Sequence, residues 1–301
     1  MTPVGIVYPG DMGCALGRLL ADDGVRVVTT TAGRSQRTVR LCRDAGLEVL
    51  DSLDEVMGAA QIVMSLVPPS AARAVAGECC AAAPRDASFV YVDVNSISPE
   101  TACQIARTID AAGHEFVDAS IHGLAAQLEH HGTLYLSGPR AQTIADLTGR
   151  LLRTQVVGRE PGAASALKMM LGGLSKGLVA LFLEMGLMAS QAGTLEAVLK
   201  EYEVYYPGVM TAIERLLPTY PRHAARRGDE LREVGRTMRS YGLTPAMASA
   251  AEEVIGAVGR LRLDEARDAG DSSSWSVREV VEEVFRCGVL QRNDAGSRRI
   301  S

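Results

Sequence analysis

Aromatic residues are scarce in this sequence: four Phe, eight Tyr and one Trp among 301 residues. Alanine, glycine, leucine and valine must therefore fill the interior. With 47% of residues apolar, a sizeable core is available to one large domain or two ordinary ones. An excess of one charge is also lacking. The formal net charge is −5, and acidic and basic residues are interleaved, so nothing calls for nucleic acid or an acidic membrane surface as partner. No uninterrupted apolar run approaches the roughly 18 residues of a membrane span. The N-terminus, MTPVGIVYPG, has neither the charged region nor the apolar run of a signal peptide. None of the six cysteines falls in C-x-x-C spacing, which reads as free thiols in a reducing cytoplasm. No spacing of His and Cys suggests zinc. The nearest candidate, Glu129-His130-His131, reads as a solvated loop, so no metal is expected.

What is present is an alternation. Short β-rich runs at 4–7, 25–30, 62–67, 89–94, 116–117 and 133–136 are separated by helical stretches, among them 12–22 and 35–45. Continuous apolar strands between helices indicate a parallel sheet covered on both faces. Past about residue 161 the pattern becomes helix only: a long glycine-interrupted run at 163–192, then 207–217, 220–241 and 245–263. Residues 268–274 read as a linker. Val277, Val280, Val281, Val284 and Phe285 make the stripe of an amphipathic helix, and 293–301 reads as a frayed end. The expected fold is α/β, a Rossmann-type doubly wound parallel sheet over residues 1–160, followed by an all-α C-terminal domain over 161–301.

The stretch GIVYPGDMGCALG, residues 5–17, places a tight turn between a strand and a helix, the context that makes a dinucleotide fingerprint credible. Gly10 and Gly13 take the second and third glycine places of G-x-G-x-x-G. Gly10 lets the backbone approach a pyrophosphate, and Gly13 lets helix pack on strand. Tyr8 and Pro9 stand where the first glycine and its neighbour belong. The helix start, Asp11 and Met12 included, offers N–H groups and a positive dipole end to phosphates. About twenty residues on, TTTAGRSQRT (29–38) has no acidic residue to hold a ribose diol. It offers Arg34, Ser35, Arg37 and Thr38, a set suited to a phosphate, which favours NADP(H) over NAD. Val67, Pro68 and Pro69 follow the fourth strand at its C-terminal tip, where a stiff loop would lie beside the nicotinamide; a plain strand stop is the alternative.

Four later stretches, DVNSISP (93–99), FVDASIHG (116–123), GTLYLSGP (132–139) and PGAASALKMMLGGLSKG (161–177), occur in this order. With YPGDMG they resemble the β-hydroxyacid dehydrogenase and imine reductase superfamily, related to 6-phosphogluconate dehydrogenase. The C-terminal half looks like that of the branch with a distinct phosphogluconate-dehydrogenase-like C-terminal domain. The resemblance implies that Asn95 and Ser96 hold a substrate carboxylate or its equivalent, with Asn95 also at the cofactor. It puts His122, in the place of a family serine, at the substrate as donor or acid. It makes Lys168 the proton donor and acceptor, and the apolar run around that lysine supports this, since a buried ammonium needs a pocket, a partner or a lowered pKa. A lysine that snorkels to the surface is the alternative. Lys176 is a second candidate, for a substrate anion or for tuning Lys168. Departures exist: Ala164 replaces the second glycine of the helix pattern G-x-G-x-x-x-K-x-x-x-N, and Gly172 replaces its Asn. The implied protein is a cytoplasmic NADP(H)-dependent oxidoreductase of a small polar substrate, homodimeric through its helical domain. Imine reduction is the rival chemistry, and a non-catalytic NADP-binding sensor the rival class.

Overall fold

The computed structural model describes residues 2–266 and 275–289, so the expected linker at 268–274 and the expected frayed end at 293–301 lie outside the described residues. The chain divides after Met169 into two compact units.

The first unit is built on one eight-stranded sheet. Its strands are β1 (Val4–Val7), β2 (Val27–Thr30), β3 (Glu48–Leu50), β4 (Ile62–Ser65), β5 (Val90–Asp93), β6 (Glu115–His122), β7 (Thr133–Ser137) and β8 (Arg153–Gly158). Their spatial order is β3-β2-β1-β4-β5-β6-β7-β8, and every pairing is parallel except β6 with β7. The chain runs outward from β1 in both directions, the doubly wound arrangement. Helices α1 (Asp11–Asp22), α2 (Gln36–Asp44), α3 (Leu53–Ala59), α4 (Ala72–Ala82), α5 (Pro99–Ala111), α6 (Leu128–His131) and α7 (Ala141–Thr148) connect the strands. The connection from β6 to β7 holds only a 3-10 turn and the short α6, and without a long crossover helix the chain turns back antiparallel.

Side chains alternate across the sheet and feed two apolar clusters. Ile6, Met64, Val92, Leu134 and Leu136 join Leu16, Leu20 and Ile144 on one face. Val7, Val28, Val63 and Tyr91 join Val75, Ile105 and Ile109 on the other. The inner strands β1, β2, β4 and β5 are buried along their whole length, which explains their largely apolar sequence, with Thr29, Thr30, Ser65 and Asp93 as buried polar residues at their carboxyl ends. The two edge strands were not expected from the sequence. β3 is largely exposed and β8 carries Arg153, Thr154 and Gln155, so neither shows an apolar run. The strand expected at 116–117 extends over Glu115–His122, and the one expected at 25–30 begins at Val27.

The second unit is helical. Helix α8 (Ala163–Gln191) begins in the first unit and leads into α9 (Leu195–Tyr205), α10 (Pro207–Leu216), α11 (Tyr220–Ser240), α12 (Ala246–Arg260), α13 (Leu263–Ala266) and α14 (Val277–Arg286). Its core gathers Leu183, Ile213, Leu217, Tyr220, Leu231, Ile255, Val280, Val281 and Val284, so the stripe expected on α14 faces inward. A capping box between Ser276 and Glu279 starts that helix. By length and composition α8 is long and apolar enough to cross a membrane, with a mean hydropathy of 1.5 and 33% of its most apolar window buried. Its apolar run is broken by glycines, serines and single charged residues, none of which makes the helix polar.

Candidate functional site

Strand register places the chemistry. Val7 pairs with Ser65, Ser65 with Asp93, and Asp93 with Asp118, so β1, β4 and β5 end level with one another and β6 runs past them. The residues that follow, Tyr8–Met12 after β1, Val67–Pro69 after β4 and Asn95–Ser96 after β5, therefore emerge at one carboxyl edge. His122 ends β6 at the same edge, exposed, four residues past Asp118. Open α/β sheets bind ligands at this edge.

The β1–α1 turn fits a dinucleotide pyrophosphate. Gly10 is the N-cap of α1, in extended conformation and with no side chain capping the helix, so the first-turn N–H groups stay available to phosphate oxygens. A Cβ built on Gly10 meets no atom within 4 Å, whereas one on Gly13 lies 2.8 Å from the Cβ of Pro9. Gly10 leaves room for a ligand, and Gly13 is required by the close approach of the helix to the turn. Tyr8 holds φ at +50°, left-handed backbone that costs a non-glycine residue about 1–3 kcal/mol. Its ring carries the Arg34 guanidinium at 3.9 Å from the centroid, and its hydroxyl donates to Glu78 Oε2 at 3.2 Å. Arg34 follows β2. Ser35 is the N-cap of α2 and accepts the Thr38 N–H at 3.2 Å, with the Thr38 hydroxyl also 3.2 Å away. Arg37 is tied to Asp11 at 2.6 Å.

After β5 the structure divides the two expected substrate contacts. Asn95 is 2% exposed. Its Oδ1 accepts the Val67 N–H at 2.6 Å and its Nδ2 donates to Ser65 Oγ at 3.1 Å, so its amide stitches the β5 loop to the β4 loop. Ser96, the next residue, is exposed, and the Lys168 ammonium donates to its hydroxyl at 2.7 Å. Lys168 itself is half-buried. Below the loop, Asp93 accepts the Asn95 N–H through Oδ1 at 3.0 Å, while its Oδ2 is buried without a partner among the described residues. Burial, with Asp118 adding a little, outweighs the Asn95 hydrogen bonds and pushes the Asp93 carboxyl up to about 7.

Lys168 is set in place by a second carboxylate that the sequence reading did not single out. Asp118 Oδ2 accepts from the Gly162 N–H at 2.9 Å, the Ser165 N–H at 3.0 Å and the Ser137 hydroxyl at 3.0 Å. Asp118 Oδ1 accepts the Ser165 hydroxyl at 2.6 Å. Ser120 donates to the Ala164 carbonyl at 2.9 Å, and Ser137 Oγ accepts the Ala164 N–H at 3.0 Å. These bonds satisfy the free N–H groups at the start of α8 and fix it to β6 and β7. The signal lay in DASIHG and GAAS, where an Asp and small hydroxyl residues sit among apolar positions, but only the fold joins them.

Lys176 lies in the second unit, its side chain 12% exposed, with Nζ 2.9 Å from Glu230 Oε2 and 3.3 Å from the Gly172 carbonyl. Glu230 also faces Arg226 at 3.5 Å. Among the described residues no group of His, Cys, Asp and Glu is placed to hold a metal ion.

A parallel sheet with a bare glycine-lined helix start at its first turn defines an NAD(P)-binding protein. Comparison with known proteins narrows this. Residues 3–149 match the NAD-binding domain of 6-phosphogluconate dehydrogenase, and residues 189–258 match a domain of unknown function, DUF1932. The solved structure of the conserved protein MTH1747, described as of unknown function and structurally similar to 3-hydroxyacid dehydrogenases, is 32% identical, covering 86% of this chain and 98% of that one with a TM-score of 0.72. At the level of fold, 3-hydroxyisobutyrate dehydrogenase from Mycobacterium tuberculosis superposes with a TM-score of 0.74 at 16% identity, over 94% of this chain and 99% of that one. An imine reductase from Pseudomonas sp. superposes with a TM-score of 0.56 at 19% identity, over 93% of this chain and 98% of that one. The chain belongs to the 6-phosphogluconate dehydrogenase-like oxidoreductase family, in the branch whose C-terminal domain is DUF1932.

Proposed function

We propose that this protein is an NADP(H)-dependent oxidoreductase of a small polar substrate of the β-hydroxy acid or carbonyl type, with Lys168 as acid and base. The observation that carries the reading is the Lys168–Ser96 contact of 2.7 Å at the carboxyl edge of the sheet. When bound, the nicotinamide supplies or accepts the hydride. In the reductive direction the Lys168 ammonium gives a proton to the carbonyl oxygen and regains one from water. In the oxidative direction its amine takes the hydroxyl proton. Ser96 accepts one N–H of the ammonium and so aims it, and its own O–H remains able to donate to a substrate carboxylate or hydroxyl. His122, exposed at the tip of β6, is a further substrate donor. Asn95 positions both loops from beneath.

Several features support NADP(H) over NAD. The β2 tip carries no carboxylate, Arg34 forms no ion pair or side-chain hydrogen bond among the described residues, and Ser35 and Thr38 cap α2 beside it. Gly172, where the resembling helix pattern has an asparagine, favours imine reduction as the second chemistry.

The protein acts in this reading as a cytoplasmic homodimer. Its six cysteines are free, as a reducing compartment requires. Met170, Leu174, Leu181 and Met188 lie along one side of α8 and are 61%, 76%, 48% and 62% exposed. They form a stripe about 27 Å long that a second copy would cover.

The test is a panel of short 3-hydroxy acids, the matching carbonyls and cyclic imines, assayed with NADPH and NADH. Turnover of a hydroxy acid or carbonyl with NADPH supports the reading. Turnover of imines alone transfers the chemistry to the second reading. Tight NADPH binding without turnover of any substrate class leaves a sensor.

A further inference from the structure

We propose that Tyr8, standing where a glycine-rich turn has its first glycine, is a cofactor-specificity residue whose ring holds Arg34 ready for the adenosine 2′-phosphate. The proposal rests on the NADP(H) reading above. A glycine would hold the same φ of +50° without strain, so the side chain is retained against a cost. That side chain makes two contacts. The Arg34 guanidinium carbon lies over its ring, and its hydroxyl reaches Glu78 on α4. Burial first and Glu78 second raise the phenol above its ordinary value, so it stays a donor and the ring stays anchored at its far end.

The chemistry of the stack suits phosphate. Guanidinium hydrogen bonds lie in the plane of the group, so a ring against its face leaves all its N–H donors free, and two of them match two oxygens of a phosphate. Arg37, three residues on, is bonded to Asp11 instead. Arg34 also follows β2, the strand beside the phosphate-binding turn, where the adenosine ribose of a doubly wound sheet is bound. Holding a long side chain in place before binding reduces the entropy lost when the phosphate arrives.

Dissociation constants of NADPH and NADH, measured by calorimetry on the full chain, test this. The variants are Tyr8→Gly, which removes the ring and suits the backbone, Tyr8→Phe, which keeps the ring and loses Glu78, and Arg34→Ala. Tyr8→Gly is expected to weaken NADPH about five- to thirtyfold and NADH less than about twofold, with Tyr8→Phe within about threefold of the unaltered protein. Equal weakening of both nucleotides by Tyr8→Gly would make the residue structural and overturn the proposal. So would an unchanged NADPH constant in Tyr8→Gly while Arg34→Ala weakens it, which would leave the NADP(H) reading standing. An unaltered protein that binds NADPH and NADH equally would remove both.

Discussion

The ammonium of Lys168 and the hydroxyl of Ser96 meet at 2.7 Å although 72 residues separate them. Ser96 is carried by the loop after β5 and Lys168 by the second turn of α8. The contact exists because Asn95 pins the first element to β4 and Asp118 pins the second to β6. Rigid strands thus position two flexible side chains.

From that arrangement, Lys168→Ala should lower kcat by about a hundred- to ten-thousandfold on the substrate found by the panel, the range of a lost acid or base. NADPH affinity should change less than about twofold, since the lysine is not needed for nucleotide binding. Ser96→Ala should cost less, because the ammonium survives. Steady-state kinetics beside nucleotide titration measure both. An unchanged kcat in Lys168→Ala rejects its role.

Asp118→Ala should destabilise the first unit by about 3 kcal/mol or more, since four donors lose their acceptor in the interior. Urea unfolding gives the value. Ser165→Ala, which removes one hydroxyl donor and leaves the backbone bonds, should cost about 1 kcal/mol.

Asp93 provides a pH signature. Its folded-state value of about 7 lies above the ordinary 3.8. Between those values the native protein holds a proton that the unfolded chain releases, so stability falls as pH rises through this window and is level above it. The contribution is at most about 4 kcal/mol, at about 1.4 kcal/mol per unit. Asp93→Asn keeps the acceptor for the Asn95 N–H and should flatten the loss. Urea midpoints of variant and unaltered protein, compared from pH about 4 to about 8, should diverge with rising pH.

Gly13→Ala should destabilise by about 1–3 kcal/mol, because its methyl would press on the ring of Pro9. Nucleotide binding should weaken with it, and both are read by urea unfolding with and without NADPH. On α8, Leu174→Glu together with Leu181→Glu should convert a dimer to monomers in sedimentation while leaving the fold intact.

Much of the first unit was legible in the sequence because its inner strands are buried on both faces and are largely apolar. Gly13 was legible because close approach to Pro9 admits nothing larger, and Gly10 because its place in the turn is open space kept for a ligand. β3 and β8 were not, since an edge strand exposed to water carries no pattern that a loop lacks. Asn95 shows the limit of motif reading. Its place in the loop was clear, but whether its amide faced outward or inward depended on Ser65 and Val67, some thirty residues away. The Asp118 bonds were hidden for the same reason: Ser165 follows it by 47 positions, and only the packing of α8 onto β6 brings them together.

Gly172 has a consequence for any attempt to redesign this helix. A Cβ built there would sit 2.9 Å from the Lys176 Nζ, which folds back onto the Gly172 carbonyl and bonds Glu230. A side chain at 172 thus displaces the ammonium from this position, a small shift for the far end of a flexible side chain, and Arg226 remains beside Glu230. A single replacement at 172 would therefore report the new amide together with a shifted ammonium at 176, and a companion exchange at 176 separates the two contributions.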